Sequence, residues 1–108
     1  MVSQKEVKVE DEKLYDYELV LIISPEVAEE KHDTIIENIS RFITDRGGVI
    51  SGVEKWGKRK LAYPIKRFVE GDYVLSRFKL KPASSKELEA NLRISEDIMR
   101  HLLVKVGD

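Results

Sequence analysis

The chain has 108 residues, one domain's worth, with 42% hydrophobic and 36% charged residues. Its net charge of −1 excludes a uniformly basic nucleic-acid clamp but leaves room for a local basic patch. With no cysteine, a disulfide scaffold, a thiolate zinc site and a cysteine nucleophile are all excluded.

Residues 1–14 mix both charges, show no period and lack the apolar centre of a signal peptide. They read as a flexible tail, and residues 15–106 as a single domain ending just before 107–108. No apolar run approaches the roughly 18 residues of a membrane helix, so a soluble intracellular protein is expected. From Tyr15 the character changes. Tyr17, Leu19, Leu21 and Ile23 alternate with Glu18, Val20 and Ile22, which predicts a strand in the middle of a sheet, apolar on both faces.

Ser24-Pro25-Glu26 predicts a helix start, with Ser24 as cap and Pro25 at the first helical position. Ala28, Ile35, Ile39, Phe42 and Ile43 recur at helical spacing, and His32 is expected on the polar side. Gly47-Gly48 predicts the stop. Val49 to Ile65 reads as a long second strand, interrupted by Gly52 and Gly57 and closed by Pro64. Lys66 to Asp72 reads as a turn and Tyr73 to Leu80 as a third strand pairing with the second. Ser84 and Glu87 have the spacing of a capping box. They predict a second helix with Leu88, Leu92 and Ile94 on its apolar face, and Ile98 to Val106 reads as a last strand. Strand, helix, strand, strand, helix, strand is the ferredoxin-like α+β arrangement: a four-stranded antiparallel sheet with both helices on one face.

The charge is unevenly spread. Residues 55–81 hold nine Lys and Arg against two acidic residues, whereas residues 15–54 hold three against nine. Such clustering suits a polyanion site. It also suits a solvated strand whose lysines guard an edge against aggregation.

Little else carries chemistry. His32 and His101 have no second ligand at metal-binding spacing on their own elements, and no phosphate-loop, dinucleotide or nucleophile-elbow motif is present. Neither an enzyme nor a cofactor is expected. A metabolite-binding regulatory domain that forms homodimers shares this topology, but Gly47-Gly48 is its only candidate loop. An acylphosphatase-like enzyme would need an arginine-bearing anion loop after the first strand, where this chain has Ile23-Ser24-Pro25-Glu26. An RNA-recognition motif would stack bases on aromatic residues of its third strand. Here Tyr73 and Phe78 differ in parity, so an unbroken strand points them to opposite faces and one of them belongs to the core.

Gly57-Lys58-Arg59-Lys60-Leu61-Ala62-Tyr63-Pro64-Ile65 resembles the signature of the bacterial small-subunit ribosomal protein six family. Tyr17-Glu18, Ser24-Pro25, Leu92-Arg93-Ile94 and the stretch from Ile98 to Lys105 resemble the same family. The resemblance implies a non-catalytic structural constituent of the 30S subunit, in the cytoplasm. It also implies binding to the central domain of 16S ribosomal RNA together with small-subunit ribosomal protein eighteen. Carried onto matching positions, it assigns Lys58, Arg59, Lys60, Arg93, Arg100 and Lys105 to RNA or partner contact. Trp56 fits either the core or the partner and is assigned to the partner because aromatic residues anchor interfaces; Pro64 is assigned to the strand exit, and Tyr63 and Ile65 to packing. No cofactor, membrane or small-molecule substrate is implied.

Overall fold

Strand β1 (Tyr15–Ile23) occupies an inner position of a four-stranded sheet in a computed structural model that describes residues 12–107. It is followed by helix α1 (Glu29–Asp45), β2 (Val49–Ile65), β3 (Phe68–Leu80), α2 (Pro82–Arg93) and β4 (Ile98–Lys105). The sheet order is β2-β3-β1-β4, and every neighbouring pair is antiparallel. This is the ferredoxin-like α+β fold.

Alternation along β1 decides which face is buried. Tyr17, Leu19, Leu21 and Ile23 join Val74, Phe78 and Leu80 of β3, Ile98 of β4, Ile43 of α1 and Leu88 and Leu92 of α2 in one core. Each such aliphatic or aromatic side chain stabilises the fold by about 1.5–3 kcal/mol when fully buried. Val20 and Ile22 point to the opposite face, which neither helix covers. As parity requires, Phe78 is buried against Tyr17, while Tyr73 lies on the open face.

Several local expectations are corrected. Helix α1 begins at Glu29, not at Pro25. The Val27 amide donates to the Ser24 carbonyl at 3.0 Å, and the Ser24 hydroxyl accepts from the Glu26 amide at 3.2 Å. A turn therefore closes before the helix and brings Val27 against the core. His32 is not on a polar side: it is buried beneath β3, its Nε2 3.7 Å from Asp72 Oδ2 and without a hydrogen-bond partner among the described residues. Helix α2 starts at Pro82 with Lys81 before it, because proline arrives with helical φ already set. Ser84 is consequently a buried helical residue and not a cap, and Ile94 is exposed. The expected turn at 66–72 shrinks to Lys66 and Arg67, Lys66 adopting a φ of 54°, and β3 begins at Phe68. Gly47 does end α1 in the left-handed region, at a φ of 82°.

Residues 1–11 of the expected tail lie outside the described residues. Residues 12–14 belong to no strand or helix, and Glu12 pairs with Lys81 at 3.3 Å.

Candidate nucleic-acid and partner interface

Strands β2 and β3 run past the end of β1, whose last partner is Asp72, and form a two-stranded arm. The register shifts between Lys55 and Gly57, where the glycine takes a φ of 83°. Such a bulge re-aims a side chain, and here it lays Trp56 on the open face, stacked on Tyr73. Beyond it Lys58 pairs with Asp72, Arg59 with Gly71 and Lys60 with Glu70. Lys58 and Lys60 thus share the helix side and Arg59 takes the open side. Lys58 lines a cleft with Glu29, His32 and Asp72 beneath the start of α1.

Ion pairing sorts the cations. On the body of the sheet Lys55 binds Asp33, Lys79 binds Asp16 at 3.0 Å, and Arg77 binds Glu18 at 3.1 Å and Glu54 at 2.8 Å. On the arm, Lys58, Arg59, Lys60 and Lys66 have no carboxylate within 4.0 Å among the described residues, while Arg67 lies 3.8 Å from Glu26. Lys66 joins this set through the two-residue turn, shorter than the seven residues that the sequence predicts. Cations already neutralised by a fixed carboxylate gain less from a phosphate than free ones, so the four arm cations keep their full charge for an anion.

Trp56 is 38% exposed yet firmly held. Its indole N–H donates to Glu54 Oε1 at 3.0 Å, and the Arg59 guanidinium lies 5.2 Å from its ring centroid. Donation from Trp56, and then from Arg77, holds the Glu54 carboxyl below the usual carboxylate range; Glu18, and then Glu54, hold the Arg77 guanidinium above its ordinary value. Exposed Leu102 and Val104 of β4 share this open face with Val20.

The other assigned cations do not form one stripe. Arg100 is exposed on the open face, where its Nη1 donates to the Tyr63 hydroxyl. Tyr63, expected to pack, is 54% exposed. Arg93, in the last turn of α2, and Arg100 line one shallow cleft. Lys105 sits near the other end of β4, on the helix side, with its ammonium 4.1 Å from the Tyr15 ring centroid. Among the described residues no three His, Asp or Glu side chains are grouped to hold a metal ion, and no helix is long and apolar enough to cross a membrane.

The sequence matches the family model described as ribosomal protein S6 over residues 16–105. It is 42% identical to small ribosomal subunit protein bS6 of Dehalococcoides mccartyi strain CBDB1, over 100% of this chain and 99% of that one. It is also 42% identical to the bS6 protein of Desulforamulus reducens, over 86% of this chain and 98% of the relative. The crystal structure of 30S ribosomal protein S6 from Thermotoga maritima superposes with a TM-score of 0.80 at 37% identity, covering 86% of this chain and 88% of that one. The C-terminal domain of the MgtC protein from Mycobacterium tuberculosis shares the fold, with a TM-score of 0.61 at 16% identity.

Proposed function

The chain belongs to the ribosomal protein S6 family, a structural component of the 30S subunit, and from that membership we propose that it binds the central domain of 16S ribosomal RNA jointly with small-subunit ribosomal protein eighteen. It does so without catalysing a reaction. The observation that supports this reading is the run of four arm cations, Lys58, Arg59, Lys60 and Lys66, with no carboxylate within 4.0 Å among the described residues, beside Lys55, Arg77 and Lys79, which each bind at least one. RNA affinity grows with the number of phosphates neutralised. A chain of net charge −1 with four free arm cations therefore binds RNA weakly alone, and a more basic partner supplies the remaining charge. Arg59 and Lys60, with Lys58 and Lys66, meet the phosphate backbone. Trp56, Leu102 and Val104 offer the protein partner an aromatic and aliphatic surface, of the kind that anchors interfaces. No feature among the described residues favours the homodimeric metabolite-binding alternative.

The test is a salt-dependent titration of a central-domain fragment of 16S ribosomal RNA, with and without small-subunit ribosomal protein eighteen. Tight binding only with the partner, weakening steeply with salt, is the expected result. Equal, weak binding in both cases would overturn the joint reading.

A further inference from the structure

The arm does not simply project from the sheet; besides the exposed Arg67–Glu26 pair, it is tied down at two places. The first is Gly71. A β-carbon there would lie 2.4 Å from Ile22 Cγ2 and 3.0 Å from Met99 Cε, so the arm backbone rests directly on β1 and the start of β4. The second is Tyr63. Between the pairs Lys60–Glu70 and Ile65–Phe68, β2 advances five residues while β3 advances two. The three extra residues make a wide bulge. Bulges bend the strand that carries them, and this one brings Tyr63 to Arg100 on β4, although two strands separate β2 from β4 in the sheet. The Tyr63 hydroxyl accepts from Arg100 Nη1, and the guanidinium lies 5.3 Å from the ring centroid.

We propose that Tyr63 and Arg100 form a clasp that fixes the direction of the arm before RNA arrives, so that Arg100 is a positioning residue and not a phosphate contact. This deepens the RNA-binding reading above and rests on it for its functional part. The physical argument is entropic. A two-stranded arm held only by its own ladder is marginal in water, and ordering flexible groups at binding costs affinity. A clasp at its far half settles that cost in the free protein. Arg100 is suited to the task because its Nη1 donates to an acceptor on the arm and its guanidinium packs on the same ring, so one side chain makes both contacts of the clasp.

Two measurements on the intact chain test the clasp. The first is hydrogen exchange of residues 61–70 in the free protein. Tyr63→Phe and Arg100→Gln should each speed exchange there by about the same factor, roughly tenfold, and the double variant by no more than either single one. Unchanged exchange in both singles would overturn the clasp. Both sites are exposed, and unfolding midpoints close to wild type would verify that the fold is intact.

The second is affinity for the RNA fragment with small-subunit ribosomal protein eighteen present, across a salt series. Tyr63→Phe and Arg100→Gln should weaken binding alike, about three- to tenfold, leaving the salt slope of the wild type. Arg59→Gln should flatten that slope by about 0.9. If Arg100→Gln flattened the slope as Arg59→Gln does while Tyr63→Phe bound as wild type, Arg100 would be a phosphate contact and the positioning role would be wrong. If the wild-type pair bound no RNA at all, the proposed function would fail, and the exchange measurement would still decide the clasp.

Discussion

Trp56 on β2 and Tyr73 on β3 lie nearly parallel, their ring centroids 6.5 Å apart and their planes 13° apart, on the sheet face that no helix covers. The pair marks a boundary. On one side runs the row Glu18, Arg77 and Glu54, in which two carboxylates share one guanidinium. On the other side begins the arm, whose four cations have no such partner among the described residues.

The arm cations are the first target. Arg59→Glu with Lys60→Glu should reduce RNA affinity of the paired proteins and flatten the dependence of log affinity on log salt by about two. Both side chains are exposed, so the unfolding free energy should stay within about 0.5 kcal/mol of wild type and the midpoint close to it. An unchanged titration would remove these residues from the interface. A lowered midpoint would make them structural.

Glu54 gives a pH prediction. Its carboxyl is held below the usual range first by the Trp56 indole and then by Arg77. A group depressed in the folded state adds stability that is fully present above the ordinary carboxylate value and is lost as pH falls through the lower folded value. Trp56→Phe removes the indole donor, so the Glu54 carboxyl should titrate at higher pH in the variant, as followed by NMR. An unmoved titration would show that the indole does not hold it.

His32 is a buried group lacking a partner at Nε2. Leaving such a group unsatisfied costs about 1–3 kcal/mol. His32→Leu should raise unfolding stability by about 1 kcal/mol in a denaturant titration. A loss of stability would mean that the imidazole is hydrogen-bonded to Asp72 in solution.

Two glycines should differ in a measurable way. A β-carbon at Gly48 would meet the Lys79 carbonyl oxygen at 2.6 Å and the Ile43 carbonyl oxygen at 2.9 Å, and backbone cannot step aside. At Gly71 the obstacles are side-chain atoms: the Met99 end can rotate, whereas the Ile22 Cγ2 methyl, 2.4 Å away on a β-branched residue, gives only with a shift of its strand. Gly48→Ala should cost about 3 kcal/mol and Gly71→Ala about 2 kcal/mol. The reverse ranking, by thermal unfolding, would contradict the close approach at the α1–β2 corner.

Much of this was legible from residue order. Alternation in β1, the Gly47-Gly48 stop and the parity of Tyr73 against Phe78 each express a single local rule, and the fold obeys them. The errors have identifiable causes. His32, Ile36, Ile39 and Ile43 follow one another at steps of four, three and four, so the sequence did carry His32 on the apolar stripe; its polarity hid the spacing. Lys105 shares parity with Leu103 and His101, which puts it on the helix side, away from Arg100. The start of α1 was not legible because a turn and a helix compete for Ser24-Pro25-Glu26, and packing of Val27 decides between them. The engagement of Arg100 by Tyr63 was beyond the sequence, since it depends on a bulge that no local residue preference announces.

The two-residue connection at Lys66 and Arg67 also bears on the order in which the molecule assembles. Strands β2 and β3 are sequence neighbours, and a hairpin of this kind closes in about 1–10 μs. By contrast β1 must find Leu80 opposite Tyr15 and Lys105 opposite Tyr17, encounters that carry a much larger loop-closure cost. The basic ribbon can therefore exist as a local structure while the central strand is still searching. Folding rate should depend on substitutions in β1 far more than on substitutions in the ribbon, whose exposed cations contribute little to the barrier.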